Sequence, residues 1–209
     1  MASAHHTTSG AAPVATPATS RHVQAAGLRL HYLDYGKDGG RPMLCVHGGA
    51  AHAHWFDFVA HGFNGTHHVR AIDLRGHGDS EWAPHPDYSY ERFAADLDEA
   101  VRTLDLHDFT LVGHSMGGMI SLLYAATYPG RVGRLVVVDS TMHMTEERVA
   151  ALRDVGAREG SSFATKEEFM ARFKLRPPGT TAVPAVLQHL AGIGPRQFDD
   201  GRWRHKFDR

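Results

Sequence analysis

The stretch Thr110 to Met119, TLVGHSMGGM, sets one serine between glycines, Gly113-His114-Ser115-Met116-Gly117, with a further glycine at Gly118. A serine hydroxyl is a weak nucleophile until a neighbouring base takes its proton. In a G-x-S-x-G pattern the glycines permit a sharp strand-to-helix turn that holds the hydroxyl out at the C-terminal edge of a sheet. The next N–H, that of Met116, then lies at a helix N-terminus, where it can stabilise an oxyanion. The competing reading makes Ser115 an incidental small residue in a glycine-rich turn. The apolar strand pattern before it and the helical pattern after it are what the catalytic reading requires.

Two further polar turns compete for the same chemistry. His47-Gly48-Gly49-Ala50 follows the apolar run Met43 to Val46 and could carry its backbone to the same sheet edge, which makes Gly49 N–H the second oxyanion donor. A plain glycine turn is the alternative there. Asp73 to Ser80, DLRGHGDS, contains an aspartate, an arginine and a histidine, but their closeness in sequence favours a self-bonded loop over a catalytic set.

The elements that must hold these turns read as alternating strands and helices. RHVQAAGLRLHYLDYG gives two alternating segments around Gly27, a hairpin opening a sheet. PMLCVHGG, HVRAIDLRGHG, FTLVGHS and RLVVVDS are apolar runs without alternation that end in polar or glycine-rich turns, the mark of parallel strands buried on both faces. Between them, Phe93, Leu97, Ala100, Val101 and Leu104 share one helix face behind a Ser89 N-cap, and Met116 to Tyr128 forms a largely buried helix stopped by Pro129-Gly130. From Thr145 onward three helical stretches follow without a strand: 145–158, 165–173 behind a Thr-Lys-Glu-Glu capping box, and about 182–191. The chain therefore divides into a disordered leader at 1–20, an α/β core at 21–143, a helical lid at 144–200 and the start of a return to the core at 201–209.

Composition narrows the partners. The 209 residues suit one domain, and 22 Lys+Arg against 23 Asp+Glu give a formal charge of −1, so no basic face for nucleic acid is expected and a small-molecule substrate is favoured. The 17 histidines are scattered without the pairing typical of metal ligands, so no metal and no cofactor is expected. The single cysteine, Cys45, excludes an internal disulfide and reads as a buried thiol in a reducing compartment. No secretory pattern and no run of about 18 apolar residues occurs, so the expected location is cytoplasmic with no membrane contact.

Taken together, the HGG turn, DLRGHGDS, GHSMGG and the strand Leu135 to Asp139 resemble the α/β-hydrolase superfamily, in particular its lid-bearing bacterial serine hydrolases: esterases, lactonases, carbon-carbon bond hydrolases and haloperoxidases. The resemblance covers about residues 22–209. It implies an α/β-hydrolase fold: a mostly parallel sheet with flanking helices and a helical lid, lacking the last core strands. It also implies that Ser115 attacks an acyl carbonyl while Met116 and Gly49 N–H hold the oxyanion. The serine separates this chain from epoxide hydrolases and haloalkane dehalogenases, which resemble it elsewhere but carry aspartate at the elbow.

In that family two more strands follow the lid, bearing the usual acid and then the catalytic histidine, and this sequence ends where they would begin. Asp139 occupies a position that some members use for the acid. His143, His189 and His205 do not match the family's histidine position. These readings predict a serine hydrolase of small, fairly apolar esters, lactones or related carbonyl compounds. The alternative is a catalytically inactive fragment or a ligand-binding or interaction module of the same fold, and peroxide-dependent chemistry at the same serine is a third reading. The sequence also predicts that LVVVD forms an open apolar edge able to pair with another chain. Met142, Met144, Phe163, Phe169, Met170 and Phe173 are candidates for an apolar pocket roof, or else for plain helix packing.

Overall fold

A computed structural model describes residues 14–36, 39–141, 145–147, 149–150, 160–175 and 179–208. The chain opens on β1 (Thr19–Ala25) and β2 (Leu28–Asp34), paired antiparallel with Ala25 opposite Leu28. The two residues between them, Ala26 and Gly27, both have positive φ (50° and 76°), the backbone of a tight hairpin turn whose twist matches its strands. The sheet thus begins at Thr19, two residues inside the segment expected to be a disordered leader. Ahead of it, Thr16 is buried, and its N–H donates to the Asp57 carbonyl at 2.7 Å. The alanine, threonine and proline composition that suggested disorder did not register this backbone tie. Residues 1–13 lie outside the described part of the chain.

The next strands are β3 (Arg41–Val46), β4 (His67–Ile72), β5 (Phe109–His114) and β6 (Val132–Val138). The spatial order is β1-β2-β4-β3-β5-β6, with β4, β3, β5 and β6 mutually parallel and β1 and β2 antiparallel at one side. Unalternated runs make sense here because both faces of the inner strands are covered. Leu44 and Val46 of β3 join the cluster under the helices, while Met43 and Cys45 join a second cluster with Ala53, Phe56 and Ala60 on the opposite face. Burial pushes the Cys45 thiol up to about 12, so it stays protonated and packs as a small apolar group.

Helix α1 (Tyr90–Thr103) starts where expected: the Ser89 hydroxyl accepts from Arg92 N–H, and Phe93, Leu97, Ala100 and Val101 are buried. Helix α2 (Met116–Thr127) buries Ile120 and Tyr124 but leaves Ala126 exposed.

The region expected to be an all-helical lid is mixed. Most of the stretch expected as its first helix, 148 and 151–158, lies outside the described residues. The second and third stretches appear as α3 (Lys166–Arg172) and α4 (Pro184–Ile193). The Thr165 hydroxyl caps α3 by accepting from Glu168 N–H at 3.1 Å, and the Glu168 carboxylate returns to Ala164 N–H at 3.0 Å. Then comes a hairpin that the sequence did not announce, β7 (Pro195–Gln197) paired antiparallel with β8 (Trp203–His205). Three-residue strands are too short for a periodic signal, and their formation depends on tertiary contact: Phe163 bridges Trp203 and Arg196 lies over Trp82. Past the hairpin the chain docks on the core. Gly78 N–H donates to Lys206 O, Asp208 N–H donates to Gly76 O, and Lys206 Nζ pairs with Asp79.

Candidate active site

Ser115 sits between the last residue of β5 and the first of α2, with φ 52° and ψ −118°. A non-glycine residue held at such angles is strained, and only surrounding packing can hold it there. Ser115 N–H donates to Val138 O at 2.9 Å, tying the turn to β6, and Ser115 O accepts from Gly118 N–H, Met119 N–H and the Ser140 hydroxyl. Ser140, which the sequence reading did not single out, therefore braces the turn from the end of the neighbouring strand. A lone serine two residues past an apolar run carries no signal of that role.

The glycines explain why the turn is so tight. A Cβ on Gly117 would collide with the carbonyl oxygens of Val46 and His47, so α2 can approach β3 only without a side chain there. That approach brings the HGG turn onto the elbow. A Cβ on Gly48 would lie 3.2 Å from Ser115 Cβ, and one on Gly49 would lie 3.6 Å from Met116 Sδ. Gly49, Ser115 and Met116, singled out separately in the sequence, are thus gathered in one place. As the first residue of α2, Met116 carries one of the N–H groups without an intrahelical acceptor. Trp55 stacks on His114 next to the serine, with ring centroids 6.4 Å apart and planes 20° from parallel.

The third turn is the self-bonded structure that its sequence suggested, and more. Asp73 is buried and accepts from His31 Nδ1 (2.7 Å), Ala53 N–H (2.6 Å) and Asp79 N–H (3.0 Å). Burial alone would raise its pKa, but the His31 bond and the flanking histidines hold the carboxyl far below its usual range. Arg75 forms a two-pronged buried ion pair with Asp96 of α1, and the His77 ring bonds back to Arg75 O at 2.9 Å. His47 joins the two turns. Its Nδ1 lies 2.7 Å from Gly48 O, and its Nε2 accepts from Leu74 N–H at 3.1 Å. Burial, aided by the nearby His77, pushes its pKa down to about 3, so the ring is neutral.

Among the described residues no side chain hydrogen-bonds the Ser115 hydroxyl. The histidines considered in the sequence are engaged elsewhere or lie outside the description. His189 Nε2 is 2.6 Å from Asp57 Oδ2, His205 packs edge-on to Phe169 at 4.6 Å, and His143 is outside the described residues. Asp139 follows Val138 directly, is exposed, and has φ 47°. Of the roof candidates, Met142 and Met144 are outside the described residues, while Phe163 and Phe169 are buried against each other, with Phe173 packed on Phe169. Met170 alone of the described set is exposed, so these phenylalanines pack against one another.

A parallel sheet whose strand β5 ends in a strained serine, with an HGG turn against it, defines an α/β hydrolase. The chain belongs to that family: the pattern of the alpha/beta hydrolase fold matches residues 41–171. Similar proteins include N-formylmaleamate deformylase of Pseudomonas putida, 36% identical over 118 residues that cover 56% of this chain and 44% of the deformylase. Mouse epoxide hydrolase 4 is 32% identical over 118 residues, covering 56% of this chain and 33% of its own length. Among solved structures, E-2-(acetamidomethylene)succinate hydrolase superimposes with a TM-score of 0.80 at 27% identity, covering 92% of this chain and 69% of that one. The matched part thus spans between a third and a half of these two curated relatives. No helix among the described residues is long and apolar enough to cross a membrane.

Proposed function

We propose that this chain is a serine hydrolase acting on a small, fairly apolar ester, lactone or related carbonyl compound through the nucleophile Ser115 at its GHSMG elbow. The observation that carries the reading is the strained backbone of Ser115 at the junction of β5 and α2, against the Gly48-Gly49 turn. In this mechanism a histidine base takes the Ser115 proton, Oγ bonds to the carbonyl carbon as the C=O π pair moves onto oxygen, and Met116 N–H and Gly49 N–H stabilise that oxyanion. Asp139, next to the Val138 carbonyl that holds Ser115 N–H, is the candidate acid. The deformylase and the succinate hydrolase among the similar proteins support hydrolytic attack at carbonyl carbon. The serine at the elbow argues against the epoxide chemistry named for another relative.

A second reading rests on a specific observation: no described histidine bonds to Ser115, so the chain would bind a ligand in the same place without turning it over. We further infer that the exposed strand β6 pairs with another chain. A fluorophosphonate probe separates the two functional readings. Labelling that disappears in Ser115→Ala supports the hydrolase, while absence of labelling in a chain with a folded circular dichroism spectrum supports the binding module. Hydrolysis of a p-nitrophenyl ester that survives Ser115→Ala would remove the serine from the mechanism.

A further inference from the structure

We propose that His54, Asp57 and His189 form a site for a divalent transition-metal ion of the zinc class, which pins helix α4 to the core. The donor atoms are His54 Nδ1, Asp57 Oδ2 and His189 Nε2. Both ring nitrogens face the same carboxylate oxygen, at 2.9 and 2.6 Å, and all three atoms lie within 4.8 Å of one another. Two imidazoles and a carboxylate, with water in the fourth position, are a donor set that suits zinc and its neighbours.

The surroundings fit a metal site better than a surface coincidence. The Tyr35 hydroxyl donates to Asp57 Oδ1 at 2.6 Å, which fixes the carboxylate and leaves Oδ2 for the two rings. Asp57 is buried, whereas the side chains of His54 and His189 are each 25% exposed, so an ion has a path from solvent. Phe58 packs edge-on to the His189 ring at 5.0 Å and limits its rotation. Beside His54 stands His52, with ring centroids 5.9 Å apart, and its buried Nδ1 has no hydrogen-bond partner among the described residues.

Bonds of about 2.0–2.1 Å around a tetrahedral ion place donor atoms about 3.3 Å apart, so the two rings must withdraw by roughly half an ångström. The ion takes the place of the two ring contacts to Asp57 Oδ2, so each ligating nitrogen must be free of its proton.

The other cluster of similar composition, His31 with Asp73 and Asp79, has no such capacity. The Asp73 oxygens are saturated by Ala53 N–H, Asp79 N–H and His31, and Lys206 already supplies a cation to Asp79. The sequence reading, which expected no metal, searched for paired ligands at short spacing. Here the third donor arrives from 132 residues away, on a different element.

The test is titration of the chelator-treated 209-residue chain with Zn²⁺ and with Co²⁺. The expected result is one tight equivalent, the visible absorption of four-coordinate Co²⁺, and a rise in Tm of roughly 5–10 °C at a hundredfold excess over Kd. His189→Gln, His54→Gln and Asp57→Asn should each lose that equivalent and the Tm rise, while His61→Gln and His85→Gln keep both. His54→Gln and Asp57→Asn keep every residue of α4, so the comparison stands even if His189→Gln disturbs that helix. Equal binding by all the variants, or no saturable equivalent in the unaltered chain, overturns the proposal.

Discussion

Leu74 N–H donates to His47 Nε2 at 3.1 Å, so the ring of a histidine that begins one turn accepts from the backbone of another. The bond requires Nε2 to be unprotonated, and with Gly48 O 2.7 Å from Nδ1 the proton belongs on the other nitrogen. Adding a proton at Nε2 would set two donors against each other inside the protein.

This gives a pH dependence with a definite sign. The His47 pKa is pushed down from 6.5 to about 3 in the folded chain, so below pH 6.5 the unfolded chain binds the proton that the folded chain refuses. Stability is therefore full above pH 6.5 and falls as pH drops toward 3, by at most about 1.4 kcal/mol per pH unit from this group. The depressed Asp73 carboxyl acts with the same sign but only below its ordinary range near 3.8, and burial lowers His52 and His77 with the same sign as His47, so the part due to His47 is the difference between parent and variant from pH 6.5 to 4. Urea unfolding of the unaltered chain and of His47→Gln across that interval should show a flatter profile in the variant. Parallel profiles would mean that the ring already titrates normally.

Gly117→Ala should be costly although alanine favours helix. The added carbon meets the carbonyls of Val46 and His47, which cannot move without breaking the β3 edge of the elbow. A loss of about 1–3 kcal/mol in unfolding free energy is expected, together with loss of fluorophosphonate labelling if the hydrolase reading holds. A variant as stable as the parent would show that α2 and β3 are further apart than described.

How much of this was legible beforehand varies from one element to the next. A run such as LCV announces an inner strand because burial on both faces leaves a dense apolar signal; LVVV carries the same signal and was expected to be buried likewise, yet it forms the edge strand β6 with its valines exposed. The elbow announces itself because tight turns admit few residue types. Ser89 and Thr165 were visible as caps for the same local reason. His47, Ser140 and the β7–β8 hairpin were not visible, because their roles depend on partners far along the chain. The Asp73 loop falls between these cases. Its self-bonding could be read from spacing, whereas its reach to His31 and Ala53 could not.

Strand β6 pairs with β5 on one side, and Val136, Val137 and Val138 are 43%, 38% and 44% exposed. An uncovered apolar strand is a template for pairing with another chain. Val136→Lys should lower concentration-dependent self-association in sedimentation velocity while changing stability by no more than about 0.5 kcal/mol. Equal association of the variant and the parent would place the contact elsewhere.

The closing segment meets the core through partners far apart in sequence: Lys206 holds Asp79 across 127 residues and Tyr88 holds Asp208 across 120. Such contacts repay the entropy of closing their loops only after the sheet has formed. A closing segment held this way is expected to dock last, onto a sheet already built from β1 to β6.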